Sequence, residues 1–167
     1  MQLETYLDNL IAQYEGYFDI QRPHIFAGSE IPAYARFMRR TTKYMLTKQA
    51  QLYATEVFEH VFFVYASNLD EAVFAREKER IIAAEQEYVQ PNADHMYSYI
   101  TLILICGHIE EPVKQQVRRM RYTKNYRYGI QGYSTVRMAA VDLGDQTFVL
   151  NRQAKELKAV LTRAFGQ

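Results

Sequence analysis

The chain has 167 residues, 49% of them apolar and 14% aromatic; that is one domain by size, 1–167, with enough apolar surface to offset the entropy of folding, which argues against a disordered chain. A net charge of +1 and a single cysteine exclude an internal disulfide and a uniformly basic or acidic protein. No apolar stretch approaches the ~20 residues of a membrane helix, and no basic segment followed by an apolar run opens the chain. A cytoplasmic protein without membrane contact is expected.

The first periodic signal is Leu3, Tyr6, Leu7, Leu10, Ile11 and Tyr14, which recur at helical spacing and predict an amphipathic helix closed by Gly16. Tyr17 to Arg22 reads as a short strand stopped by Arg22-Pro23, and Ala27-Gly28-Ser29 as a turn. Between 33 and 66 the runs AYARFMRR, KYMLT, LYATEVF and HVFFVYA suggest an antiparallel meander of three or four strands. Residues 47–58 fit strand or helix, because Leu52, Thr55, Val57 and Glu59 do not settle the period. Ser67 or Asn68 caps a second helix that runs to about Tyr88. Leu69, Val73, Ile81, Ala84 and Tyr88 lie on its inner side, and REKER and the glutamates form a solvated face.

Ile100 to Cys106, the core of MYSYITLILICG, carries no charge and one hydroxyl. It predicts a strand buried on both faces. Glu110, Glu111 and Pro112 open a third helix, with Val113, Val117 and Met120 facing inward. Tyr122 to Gly132 links it to a strand from Tyr133 to Leu143. Leu143-Gly144-Asp145-Gln146 is a hairpin turn, Thr147 to Leu150 the return strand, and Asn151 the cap of a last helix. The expected fold class is α/β (α+β): a single mixed sheet with its central buried strand at about 96–106 and helices on both faces.

Three segments, HMYSYITLILIC, YGIQGYSTVRMAAVDL and NRQAKELK, resemble a family of small uncharacterised bacterial cytosolic proteins, a domain of unknown function. The resemblance covers most of the chain and implies no activity. The element order also resembles the restriction-endonuclease-like core, whose nucleases set an Asp on one strand and a Glu-x-Lys on the next. Glu56-Val57-Phe58 and Glu59-His60-Val61 lack that lysine, so this resemblance implies at most a degenerate nuclease-like domain.

Charge is segregated along the chain. Residues 31–55 hold five bases and no acid, and 112–137 hold seven bases and no acid. In the second segment bases alternate with tyrosines. Guanidinium groups bind phosphate, and tyrosine rings stack on bases. Arg36, Arg39 and Arg40 are therefore expected to converge with Arg118, Arg119, Arg121, Lys124, Arg127, Tyr126 and Tyr128 on one anion-binding surface. The plainer reading of the second segment is a solvated helix end, where cations suit the helix dipole. The expected function is a non-enzymatic binding module for nucleic acid, a phosphorylated ligand or an acidic protein partner.

The alternative is an enzyme with its site near Cys106 and His108, which share a face if the central strand continues through Gly107. The plainer reading there is a buried thiol and a loop histidine. His24, His60, His95 and His108 have no zinc spacing, so neither metal nor cofactor is expected. Asp142 and Asp145 flank Gly144 as in a hairpin turn.

Overall fold

The computed structural model describes residues 1–44 and 52–166. The elements are α1 (Leu3–Tyr14), β1 (Asp19–Gln21), β2 (His24–Phe26), β3 (Ser29–Ile31), β4 (Ala33–Tyr44), β5 (Leu52–Leu69), α2 (Glu71–Tyr88), β6 (His95–Ile109), α3 (Glu111–Arg119), β7 (Thr123–Asn125), β8 (Tyr133–Asp142) and β9 (Thr147–Leu150). A 3-10 stretch, Arg152–Leu157, then runs into α4 (Lys158–Ala164). Seven strands form one mixed sheet in the order β1-β4-β5-β6-β8-β7, with β9 also paired to β8. β5, β6 and β8 run parallel, and the other pairings are antiparallel.

β6 is the expected central strand, and both of its faces are covered. Leu102, Leu104 and Cys106 pack with residues of α2 and α3, while Ile103 and Ile105 pack with residues of α1 and α4. Each parallel neighbour needs a crossover, which α2 and α3 supply. Asn151 caps the last helical segment as expected, its side chain accepting from Ala154 N at 3.1 Å. Among the described residues, no helix is long and apolar enough to cross a membrane.

Three expectations are corrected and one ambiguity is settled in part. Among the described residues, the meander of three or four strands is two long strands, because AYARFMRR runs straight on into Lys43 and Tyr44, and LYATEVF into HVFFVYA. Of the ambiguous segment 47–58, residues 52–58 are strand; 45–51, and so the rest of KYMLT, lie outside the described residues. Ser67 and Asn68 do not cap α2: they continue β5, where Asn68 pairs with His108, and Asp70 is the cap, accepting from Val73 N at 2.8 Å. REKER is not wholly solvated. Glu77 is buried, paired with Arg76 and Arg80, and Arg80 also reaches the carbonyl of Phe26 in the unexpected β2–β3 hairpin.

The β5–β6 register slips once: Glu56 pairs with His95 but Val57 with Tyr97. Met96 is the extra residue of a bulge. Leu102 and Leu104 fill the α2/α3 side of β6 at zero exposure. Replacing either by Ala should cost about 2–5 kcal/mol, read as a lowered urea midpoint at unchanged slope; a midpoint that barely moves for both would contradict their central place.

Candidate functional site

β4 runs through the sheet with strict alternation. Tyr34, Arg36, Met38 and Arg40 face the α2/α3 side, and Ala33, Ala35, Phe37 and Arg39 face the α1/α4 side. Arg39 is thereby separated from Arg36 and Arg40. β4 and β7 are also four strand spacings apart, about 19 Å, since β5, β6 and β8 lie between them. The strand order does not bring the two basic segments side by side. A cleft of about 430 Å³ is lined by Lys43 from the first segment and by Gly129, Ile130, Gly132 and Tyr133, none of them a base, from the second.

Several of the expected binding residues serve local structure. Arg40 bonds Glu56 at 2.6 Å and Asp94 at 2.9 Å. Arg118 and Arg119 are exposed on the last turn of α3, and Arg121 donates back to the carbonyls of Arg118 and Met120. Lys124 pairs with Glu85 at 3.1 Å, and Tyr126 is buried with its hydroxyl on Glu85 and Ser134. Arg127 and Tyr128 are exposed, both at positive φ. Glu85 itself is buried on α2 and accepts from Tyr126, Lys124 and Tyr122. A carboxylate out of water needs such partners, and this one ties α2 to the 122–134 segment.

The Cys106 reading is resolved by burial. The thiol packs in the α2/α3 core, and burial, helped by the nearby Asp142, pushes it up to about 12. A thiol in that state is no nucleophile. His108 is exposed, with Nδ1 3.4 Å from Asp142 Oδ2. His108, Asp142 and Asp145 offer ligand atoms within 4.8 Å of one another. Both Asp142 oxygens, however, accept backbone amides, from Ile109 at 2.9 Å and Asp145 at 3.0 Å. Asp142 thus fastens the end of β6 to the hairpin turn. The two glutamates of the nuclease comparison also diverge: Glu56 bonds Arg40 and Asn92 on one face, and Glu59 bonds Arg137 on the other.

A different site emerges where α2 stops. Val89 leaves the helix in extended conformation, and Pro91 follows. β4 and β5 continue past that point, leaving a stretch of sheet without a helix above it. The resulting cleft, about 430 Å³, is lined by Tyr34, Arg36, Phe58, His60, Tyr88 and Ser98, with Glu56, Glu87, Gln90 and Asn92 along its rim and Met38 at its mouth. The register explains the grouping. Arg36 lies opposite His60, Met38 opposite Phe58, and Ser98 beside Phe58 on the next strand.

His60 is 4% exposed, and its Nδ1 is 2.6 Å from the Tyr34 hydroxyl. Its Nε2 is buried and has no partner among the described residues. Burial, and then the Arg36 guanidinium, lower its pKa to about 4, so the ring is neutral at pH 7. Burial likewise holds the Tyr34 hydroxyl well above its ordinary value, so it stays a donor. With Tyr34 assigned as donor to Nδ1, Nε2 carries the ring proton and has nothing to give it to. Arg36 is exposed and makes no ion pair among the described residues. His60 had one sequence signal: it alternates with Phe58 and Phe62 on a buried strand face. Glu77 and Glu85 had another, lying on the same helical stripe as Phe74, Ile81 and Ala84.

Two measurements follow. The unfolded chain binds a proton near pH 6.5 that native His60 refuses until about 4, so stability should fall as pH drops through that window. The loss should be on the order of 1–3 kcal/mol and should be missing in His60→Gln when urea midpoints are compared at pH 7 and pH 4.5. A thiol reagent at pH 8 should label Cys106 slowly in native protein and at once in urea; rapid native labelling would restore the thiol as a candidate nucleophile.

No curated protein and no solved structure matches the chain. A family model described as "Domain of unknown function (DUF8052)" matches residues 2–163. The α-helical crossovers, the buried strand and the cleft at the end of α2 all fall inside that span, and the chain belongs to this family.

Proposed function

We propose that the protein binds a small phosphorylated or carboxylated molecule in the cleft at the end of α2. The observation that carries this reading is the pairing of Arg36, a guanidinium without an ion pair among the described residues, with the unpartnered Nε2 of His60 directly across the strand pair. An arginine fork binds phosphate or carboxylate through two parallel hydrogen bonds. A neutral imidazole N–H adds a third donor without adding charge. The cleft volume falls in the range of small-molecule sites, and Tyr34, Phe58 and Tyr88 supply apolar walls.

The opposite rim has the other polarity. The C-terminal end of α2 carries the negative end of the helix dipole, and Glu87 stands beside it. A ligand that fits both sides is an anion that also carries hydroxyl or amino donors. The buried single cysteine agrees with a reducing, cytoplasmic setting.

Calorimetric titration with inorganic phosphate and with ribose 5-phosphate tests the reading. Arg36→Ala should weaken binding about tenfold or more, because a hydrogen bond to a charged group contributes about 1.5–3 kcal/mol. Arg39→Ala, on the other face, should leave it unchanged. Equal loss in both variants, or no binding of either probe, removes the cleft as an anion site. Exposed Arg127 and Tyr128 favour a second reading, single-stranded nucleic acid on the 127–130 turn. Its mark would be oligonucleotide binding lost in Tyr128→Ala and kept in Arg36→Ala.

A further inference from the structure

We propose that Ser98, in the lining of the same cleft, and His95, buried beside it on the side of the cleft by Lys43, form a nucleophile–base pair, and that the chain cleaves acyl esters whose far end carries the anionic group; this rests on the anion reading above. His95 Nδ1 lies 2.6 Å from the carbonyl oxygen of Gln131. That oxygen can only accept, so Nδ1 is assigned as the donor there, and the tautomer so fixed leaves Nε2 as the acceptor of the ring. The Ser98 hydroxyl, 2.8 Å from Nε2, therefore donates to it. Hydroxyl, imidazole and orienting acceptor stand in the order that general-base activation of a serine requires. A backbone carbonyl takes the place that a carboxylate holds in the better known triads.

The backbone around His95 is shaped for this contact. Residues three apart in a regular strand point to opposite faces, yet His95 and Ser98 share one. The bulge at Met96 makes the difference, adding one residue between them and the register of β5. Gly132 makes the second adjustment. It sits at φ +72°, and a Cβ there would fall 2.1 Å from the carbonyl oxygen of Met96 and 2.8 Å from that of His95. Glycine alone lets the loop approach closely enough for the Gln131 carbonyl to reach the ring. A bulge, a close glycine and a carbonyl thus converge on one imidazole.

Ser98 is 1% exposed and forms part of the cleft lining. His60 lies on the same face of the adjoining strand, opposite Ile100 and so one step of the pleat from Ser98. In a bound ester its Nε2–H serves the oxyanion, and the far anionic group is left to Arg36. In the reaction Ser98 Oγ adds to the acyl carbon as its proton passes to His95 Nε2, and the carbonyl electron pair moves onto oxygen. Collapse breaks the bond to the leaving alkoxide, which takes the proton from His95. Water then adds to the acyl-serine by the same route, releasing the acid and restoring the hydroxyl.

A fluorophosphonate probe and the p-nitrophenyl monoester of succinic acid test this. With the first, fluoride leaves as phosphorus bonds to Oγ, so wild-type protein should gain one adduct, placed on Ser98 by peptide mapping without recourse to a variant. Ser98→Ala should gain none, and His95→Asn should slow labelling about 10²-fold. With the succinate ester, Arg36→Ala should raise KM and leave kcat in place. No adduct, or an adduct mapped elsewhere, overturns the pair. If Ser98 is labelled while phosphate neither protects it nor binds through Arg36, the pair stands and the anion reading falls. If phosphate binds through Arg36 and Ser98 stays unlabelled, the reverse holds.

Discussion

The structure depends on one constraint: β6 is paired in parallel on both edges and buried on both faces. A parallel partner cannot be reached by a tight turn, so the chain must leave the sheet, cross it and return. It does so twice, through α2 and α3, and both helices land on the same face. The opposite face is covered by the chain's two ends, α1 and the α4 segment, joined by contacts such as the Tyr6 hydroxyl on the Leu161 carbonyl at 3.0 Å. Everything else, including the antiparallel strands at the edges, is added around that core.

The cleft is a consequence of mismatched lengths. β4 and β5 are 12 and 18 residues long, and α2 ends before they do. An 18-residue helix spans about 27 Å, whereas the sheet and the 89–94 return segment continue beyond it. Polar groups collect in that uncovered zone because there they can reach water, a partner or a ligand. Ser98, His95, His60, Tyr34, Glu56 and Arg36 all lie on the α2/α3 face of its strands. The apolar half of the same face, from Ile100 to Cys106, lies under the helices. One face of one sheet is thus divided along its strands into a packed half and a reactive half.

The buried polar groups of this region also hold it together. Glu85 on α2 takes bonds from Tyr122, Lys124 and Tyr126, and Tyr126 bonds Ser134 on β8. The 122–134 excursion is fastened at that point, which in turn carries Gln131 to His95. Breaking the Glu85 cluster would leave a buried charge without partners, so the reach of the loop over the β6 bulge is backed by a strong local penalty against opening.

The sequence by itself determined the core strand and the helices, but not the two long strands β4 and β5 or the β2–β3 hairpin. The seven-residue apolar run of β6, the helical spacing of α1, the inward Val113 and Val117 of α3 with Met120 just after it, and the Asn151 cap are local patterns, and local patterns depend on short-range residue order that the sequence displays directly. Charge segregation was also visible, but its meaning was not. Which strand neighbours which is a long-range choice, and it set β4 and β7 at separate places in the sheet with Arg39 turned from Arg36 and Arg40. The buried Glu77 and Glu85 were misread as solvated because a carboxylate is buried only when its partners arrive from elsewhere in the chain. The site was hidden for the same reason: Arg36 and His60 are 24 residues apart, and Ser98 joins His95 through a bulge and the loop carbonyl of Gln131. Hydrogen bonds and burial between distant segments exist only once the sheet is assembled, so tertiary structure alone decided them.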